Sequence, residues 1–304
     1  MLTNISGFPE FLPAEQIAFN NILAIIREVF ELYGFSPMDT PAVERVATLL
    51  SKGDDHEIYG LYRLADETSA KKEIALRFDL TVPLARYVSQ HYGHITFPYR
   101  RYHIAPVWRG ERPQAGRYRQ FYQCDVDVIG DGELPILNDA ELLALIYDVL
   151  TRLRVRNFAI KVNNKKILSG LIKSFGVQNP APIMRIVDKK EKIAKDELIK
   201  ELRATELPEA GISKLLEMIE LKLSSTEWAL YLKKATHHAE LEEGLKELEE
   251  VLEGWSIFAT AHGVASEHEA ASDVVRFDPL LARGLTYYTG TVYEAIWMDH
   301  PELG

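Results

Sequence analysis

The chain has 304 residues, 47% apolar and 26% charged, the proportions of a soluble globular protein with room for one large domain or two ordinary ones. No run reaches the ~18–20 apolar residues of a membrane helix and no basic-then-apolar leader opens the sequence, so a cytoplasmic protein with no membrane partner is expected. The single cysteine, Cys124, excludes intrachain disulfides and a cysteine zinc site, and the nine scattered histidines suggest no metal held directly by protein ligands.

The formal net charge of −10 argues against a general nucleic-acid coat, yet the charge is sorted along the chain. Residues 95–123 carry six arginines against one acid, Glu111. Residues 151–203 carry fourteen Lys or Arg against five Asp or Glu, whereas 205–255 carry five Lys against twelve Glu.

In chain order, residues 13–33 repeat apolar side chains at Ile22, Ile25, Ile26, Val29, Phe30 and Tyr33, the recurrence of a helix with one buried face, and Gly34 ends it. Residues 34–44, punctuated by Pro37 and Pro41, read as a strand at a sheet edge or an interface. A short strand over 74–78 then runs into a helix beginning near Pro83, with Thr81 as candidate N-cap. Next, "YHIAPVWR" and "YRQFYQCDVDVIG" alternate with the strand period of two around the loop "GERPQAG", which predicts a long-looped antiparallel hairpin. Its second strand puts Arg119, Phe121, Gln123, Asp125 and Asp127 on one face, and Cys124, on the other, reads as a small buried hydrophobe.

Residues 138–150 predict a helix and "NFAIKVN" a strand. From Leu168 to about His262 the chain is Lys-, Glu- and Leu-rich and helical in character, with a strand signal only at "APIMRIV". Then "VVRFDPLLARGLTYYTGTVYEAIW" restores two strands. The expected fold is α+β: a mostly antiparallel sheet flanked by helices, with core parts 1–167 and 263–304 and an inserted helical domain over 168–262.

Arginines gathered at the exits of a loop suit a polyphosphate, because a guanidinium keeps its charge and matches phosphate oxygens in pairs. The segments "TP-x-x-E" after a long helix, "WRGERPQAGRYRQFYQ" and "LARGLTYYTGTVYE" resemble the first two class II aminoacyl-tRNA synthetase motifs and the histidine-specific motif of the histidyl-tRNA synthetase family. The resemblance covers most of the chain and is weakest in the helical insert.

What the resemblance implies is specific. The first motif, over 13–44, builds a homodimer interface. Arg109 grips the α-phosphate of ATP, Glu111 accepts from the adenine amino group, Phe121 stacks on adenine and Arg117 reaches the outer phosphates. Arg112 and Arg119 are candidates for a structural role. Asp79, Thr81 and Gln123 take the α-ammonium of histidine, while Asp127 and Tyr288 hold the ring nitrogens, with Tyr287 either in the pocket or in the core. Arg283 serves the reacting centre, converging with Arg109 on one anion, and Mg2+ bridges the phosphates of ATP. The helical insert leans on the acceptor stem of histidine tRNA, with Lys165, Lys166, Lys189, Lys190 and Lys192 as phosphate contacts and the later acidic stretch facing solvent.

The sequence departs from the family pattern at two places: "LRFDLT" stands where "LRPEGT" is common, and Thr286 where Asp is common. The family continues into a third motif and an anticodon-binding domain beyond "WMDHPELG", so a catalytic region truncated before that motif, weakly active or inactive alone, is expected. The alternatives are a histidine-sensing paralogue, the regulatory subunit of ATP phosphoribosyltransferase, and an uncharged-tRNA sensor domain of a kinase. Retention of Arg109, Glu111, Phe121 and Arg283 favours the ligase, because a sensor has no need of an intact ATP site.

Overall fold

The computed structural model describes residues 3–51, 57–65, 73–114, 116–235, 237–261, 274–283 and 288–300. The chain divides after Leu134 into two compact units.

The first unit opens with α1 (Pro13–Leu32). Pro13 sits in its first turn, Glu15 accepts a hydrogen bond from the Leu12 N–H at 2.8 Å, and Gly34, at φ +76°, turns the chain away. Only Val29 and Phe30 of α1 are buried, and Ile17, Ile22 and Leu32 are exposed, so the long buried stripe expected here is confined to the C-terminal end. The predicted strand over 34–44 is two short ones, β1 (Ser36–Pro37) and β2 (Val43–Arg45), separated by a turn. The turn α2 (Val46–Leu49) follows, then β3 (Gly60–Leu61), β4 (Ile74–Leu76) and α3 (Thr81–His91). The hairpin is β5 (Tyr99–Trp108) and β6 (Gln120–Ile129), ten residues each and antiparallel throughout. β1 joins it parallel to β5, while β4 lies between β2 and β3, antiparallel to both.

The second unit contains α4 (Leu137–Arg152) and β7 (Phe158–Asn164), then helices α5 (Lys165–Lys173), α6 (Ala181–Val187), α7 (Lys195–Arg203), α8 (Glu209–Glu220), α9 (Ser225–Ala235) and α10 (Ala239–Ala261). The apolar run "APIMRIV" is α6, not a strand: it buries Ile183, Met184 and Val187, the i, i+1, i+4 spacing of one helix face. Strands β8 (Val275–Phe277) and β9 (Thr291–Trp297) flank β7, the first parallel and the second antiparallel to it.

The sorted charge of this unit is neutralised within it. Lys166 of α5 donates to Glu243 and Glu247 of α10 at 2.8 and 2.6 Å, and Lys173 donates to Glu240 at 2.6 Å. Glu240, Glu243 and Glu247 of the acidic stretch expected to face solvent therefore meet the basic helix, while Glu242, Glu249, Glu250 and Glu253 are exposed as expected, with Leu241, Leu245, Leu248 and Val251 buried between them.

Candidate active site

The register of the hairpin builds the site in the first unit. Arg101 lies opposite Asp127, His103 opposite Asp125, Ala105 opposite Gln123 and Val107 opposite Phe121, so these eight side chains share one face. At the open end the Arg109 N–H donates to the Arg119 carbonyl at 2.8 Å, prolonging the ladder into the loop. The junction between β4 and α3 packs on this face: Arg109 Nε donates to the Phe78 carbonyl at 3.1 Å, and Leu80, Ala105 and Val107 form a cluster with Phe121.

That junction differs from expectation in one detail. Thr81 is in the first turn of α3, and Asp79 caps it, its Oδ1 accepting from the Val82 N–H at 3.0 Å. A carboxylate at a helix N-terminus is favoured by the unpaired N–H groups and the dipole. Asp79 is buried, and its charge reaches Asp125.

Of the expected ATP residues, the Arg109 guanidinium stands 5.0 Å from the centre of the Phe121 ring, a cation against an aromatic face. Glu111 is half-buried at the start of the loop, and its carbonyl accepts from Arg119 Nε at 3.1 Å. Arg119 also reaches the Ser6 carbonyl, and its N–H donates to Gly7 at 2.8 Å, which makes it a clasp for the N-terminal segment. Arg117 and Arg112 are exposed in the loop, Arg117 in a backbone pair with Gln114.

Of the expected histidine residues, Gln123 has a buried Oε1 without a hydrogen-bond partner among the described residues. Asp127 forms an ion pair with Arg101, which is fully buried. Three neighbours had no role assigned from the sequence, although Asp125 was placed on this face. Arg101 was counted only as part of a charge cluster. His103, also buried, meets Asp39 Oδ1 through Nε2 at 2.7 Å, and burial lowers its pKa, which leaves a neutral ring. Asp125 is pushed up to about 6 by burial first and by the neighbouring Asp127 second. Their shared alternation with Gln123 and Asp127 was the available signal.

In the second unit, Arg283 donates to Glu294 Oε1 of β9 through Nε at 2.8 Å and, more closely, through Nη2. Its Nη1 lies 4.0 Å from Asp188 Oδ1, and the Glu294 bond raises its pKa further. The preceding turn is pinned: buried Asn163 Nδ2 donates to the carbonyls of Pro279 and Leu281 at 3.0 and 2.9 Å, and Lys190 Nζ donates to that of Leu280 at 3.0 Å. Tyr288 is exposed, and Tyr287 and Thr286 lie outside the described residues. Among the lysines named for RNA, Lys166 is paired as above, Lys189 pairs with Glu201 at 2.9 Å and Lys192 with Asp188 at 3.6 Å. Lys165 is half-buried and donates its backbone N–H to Gly290 at 2.9 Å.

A family model described as Histidyl-tRNA synthetase matches residues 7–302. The chain belongs to the histidyl-tRNA synthetase family. It is similar to the histidine–tRNA ligase of Clostridium tetani, with 42% identity over 99% of this chain and 66% of that protein. The crystal structure of a Nostoc histidyl-tRNA synthetase matches with a TM-score of 0.85 and 34% identity, covering 100% of this chain and 67% of that one. A structure described as an ATP phosphoribosyltransferase regulatory subunit/histidyl-tRNA synthetase from Bacillus halodurans matches at 22% identity with a TM-score of 0.79, over 98% of this chain and 73% of that one, a likeness of fold alone. The chain spans about 66% of the length of the Clostridium relative. The α+β architecture read from the sequence is that of the synthetase family to which the Nostoc structure belongs.

Proposed function

We propose that the chain is the catalytic region of a histidine–tRNA ligase, which activates histidine with ATP and passes the histidyl group to the 3′-terminal ribose of histidine tRNA. The observation that carries the reading is the common face of the hairpin, where a guanidinium beside an aromatic ring, Arg109 with Phe121, continues into the half-buried polar row of Gln123, Asp125 and Asp127. Such a face suits a nucleotide phosphate at one end and a small polar amino acid at the other. The 42% identity to a ligase, against 22% to the structure described with a regulatory subunit, favours the enzyme over a histidine sensor.

In the first step a carboxylate oxygen of histidine attacks the α-phosphorus in line, the bond to the bridging oxygen breaks, and pyrophosphate leaves histidyl-adenylate behind. The carboxylate is already ionised near neutrality, so no protein base is needed. In the second step a ribose hydroxyl attacks the acyl carbon and AMP leaves. Arg109 holds the α-phosphate, Glu111 and Phe121 the adenine, and Arg117 the outer phosphates. Asp79, Thr81 and Gln123 bind the ammonium, while Asp127, Tyr287 and Tyr288 surround the imidazole. Mg2+ bound with the nucleotide would supply positive charge to offset that of the phosphates, alongside Arg109 and Arg117. Arg283, its side chain held by Glu294, stabilises negative charge on the equatorial oxygens.

The same reading makes 168–262 an inserted helical domain between core parts 1–167 and 263–304, set against the tRNA acceptor stem in a cytoplasmic protein. Lys165, Lys166, Lys189, Lys190 and Lys192 contact phosphate there, Lys166, Lys189 and Lys192 by exchanging a carboxylate partner for the RNA. The exposed apolar side chains of α1 join two copies.

Histidine-dependent exchange of pyrophosphate into ATP tests the first step. Arg283→Ala should cost roughly 3–4 kcal/mol of transition-state stabilisation, a 10²–10³-fold fall in rate, with the KM for histidine little changed. A variant that exchanges at the unsubstituted rate removes Arg283 from the reaction.

A further inference from the structure

Arg101 has no role in the steps above, yet it is a fully buried cation of the first unit. Its guanidinium is 0% exposed, and Nη2 meets Asp127 Oδ2 as an ion pair rather than as an aligned hydrogen bond. Nε and Nη1 have no hydrogen-bond partner among the described residues. A buried cation with donors to spare lowers stability compared with an apolar side chain of similar size. Its retention at this point is explained if the cation does something for the carboxylates it faces.

Those carboxylates belong to the imidazole end of the site. Arg101 is the cross-strand partner of Asp127, and Asp125 is two residues away on the same face. Among the described residues, the charged and titratable groups around the pair include Arg101 and His103 on β5, Arg109 at its end, Asp79 at the head of α3, and Asp39, which meets His103. Burial and the two other carboxylates raise the proton affinity of Asp125, and Arg101 opposes this more strongly than Arg109 does. His103 is neutral and adds no charge. Without Arg101, the carboxylates of Asp79, Asp125 and Asp127 would lose the stronger of the two arginines that act on Asp125, and protonation would relieve their repulsion. A protonated carboxyl loses an acceptor position and gains a donor.

We propose that Arg101 is a positioning residue for imidazole recognition, holding Asp127 from across the strand pair in one orientation and in its ionised form, so that the carboxylate accepts the ring N–H of histidine. This deepens the ligase reading and rests on the contact between Asp127 and the ring. The ligand class follows: an azole amino acid with a free ring N–H.

Calorimetry on the whole chain without ATP reads histidine binding directly. Titrations with L-histidine and with 1,2,4-triazole-3-alanine, whose ring is not protonated over the range, run from pH 6.5 to 8.5. Asp127→Asn should weaken both ligands by about 10–100-fold, the size of a hydrogen bond to a charged group. Arg101→Met should weaken the triazole ligand about tenfold or more at pH 6.5 and recover toward pH 8.5, as the carboxylates lose their protons later without the cation. Arg101→Lys should restore most of the affinity and flatten the profile, and Arg101→Met should add nothing in an Asp127→Asn background.

Full affinity in Arg101→Met, or a loss equal at every pH that lysine does not repair, would overturn the proposal. Should Arg101→Met fail to fold by circular dichroism, Arg101→Lys decides alone: a folded lysine variant that no longer binds at pH 8.5 is the contrary result. Unchanged binding by Asp127→Asn would instead remove the contact on which the proposal rests, and the two failures are thereby distinguished.

Discussion

At Asp125, burial and the Asp127 carboxylate push the acid up to about 6, well above the ~3.9 of an unfolded aspartate. Between those two values the folded chain binds more protons than the unfolded one, so this residue's contribution falls as pH rises through the window, and the full cost is present above about pH 6. Asp125→Asn should therefore stabilise the chain at pH 7.5 by at most about 3 kcal/mol and leave it unchanged below about pH 4. Urea denaturation at the two pH values measures this, and an equal difference at both would mean that the charge carries no such cost. Cys124, expected to be a small buried hydrophobe, is half-buried, and burial pushes its thiol up to about 11. The alternation "QFYQCDVDVIG" was enough to place Phe121, Gln123, Asp125 and Asp127 on one face, because strand periodicity is a local property. The pairing of Asp127 with Arg101 was not legible, since it depends on which residue of the other strand stands opposite.

The helices of the second unit meet through two glycines. A Cβ on Gly170 of α5 would lie 2.5 Å from the Leu241 backbone nitrogen, and one on Gly244 of α10 would lie 2.9 Å from the Ile167 nitrogen. These are backbone atoms, so a side-chain rotation does not relieve the clash. Alanine ordinarily favours a helix interior over glycine by about 1 kcal/mol. Gly170→Ala should nevertheless destabilise by about 1–3 kcal/mol, because the close approach seats Lys166 and Lys173 on the α10 glutamates and any separation loosens them. Chemical denaturation measures the change, and a gain in stability would refute the close contact. The helical character of this region was clear from composition, but "APIMRIV" carries no reliable distinction between a short strand and a helix. Its identity as α6 follows from the partners that bury Ile183, Met184 and Val187.

On the scale of the whole molecule, the net charge of −10 conceals a basic and an acidic run, and Lys166 and Lys173 of the first pair with Glu240, Glu243 and Glu247 of the second where α5 meets α10. Apolar surface is less completely balanced. Leu12 at the start of α1 is 71% exposed and Ile17 within it 62%, area that a second copy would remove from water at about 25 cal/mol per Å². Ile17→Glu should lower the sedimenting mass from two chains to one with little effect on the folding of each chain, because the side chain has few contacts of its own to lose. A protein already monomeric at micromolar concentration would exclude this interface. No helix among the described residues is long and apolar enough to cross a membrane.

By itself, the sequence determined the long hairpin, the face on which its polar residues lie, the helical stretch after β7 and the family, because each is written in local periodicity or in a contiguous motif. Tertiary structure alone decided that α1 leaves most of its apolar side chains uncovered, that Asp79 rather than Thr81 caps α3, that Glu294 holds Arg283, and that Arg101 is buried against Asp127. Each depends on a partner distant in the chain or on the degree of burial. Burial changes the electrostatic energy of a charge many-fold, while its one-letter code stays the same.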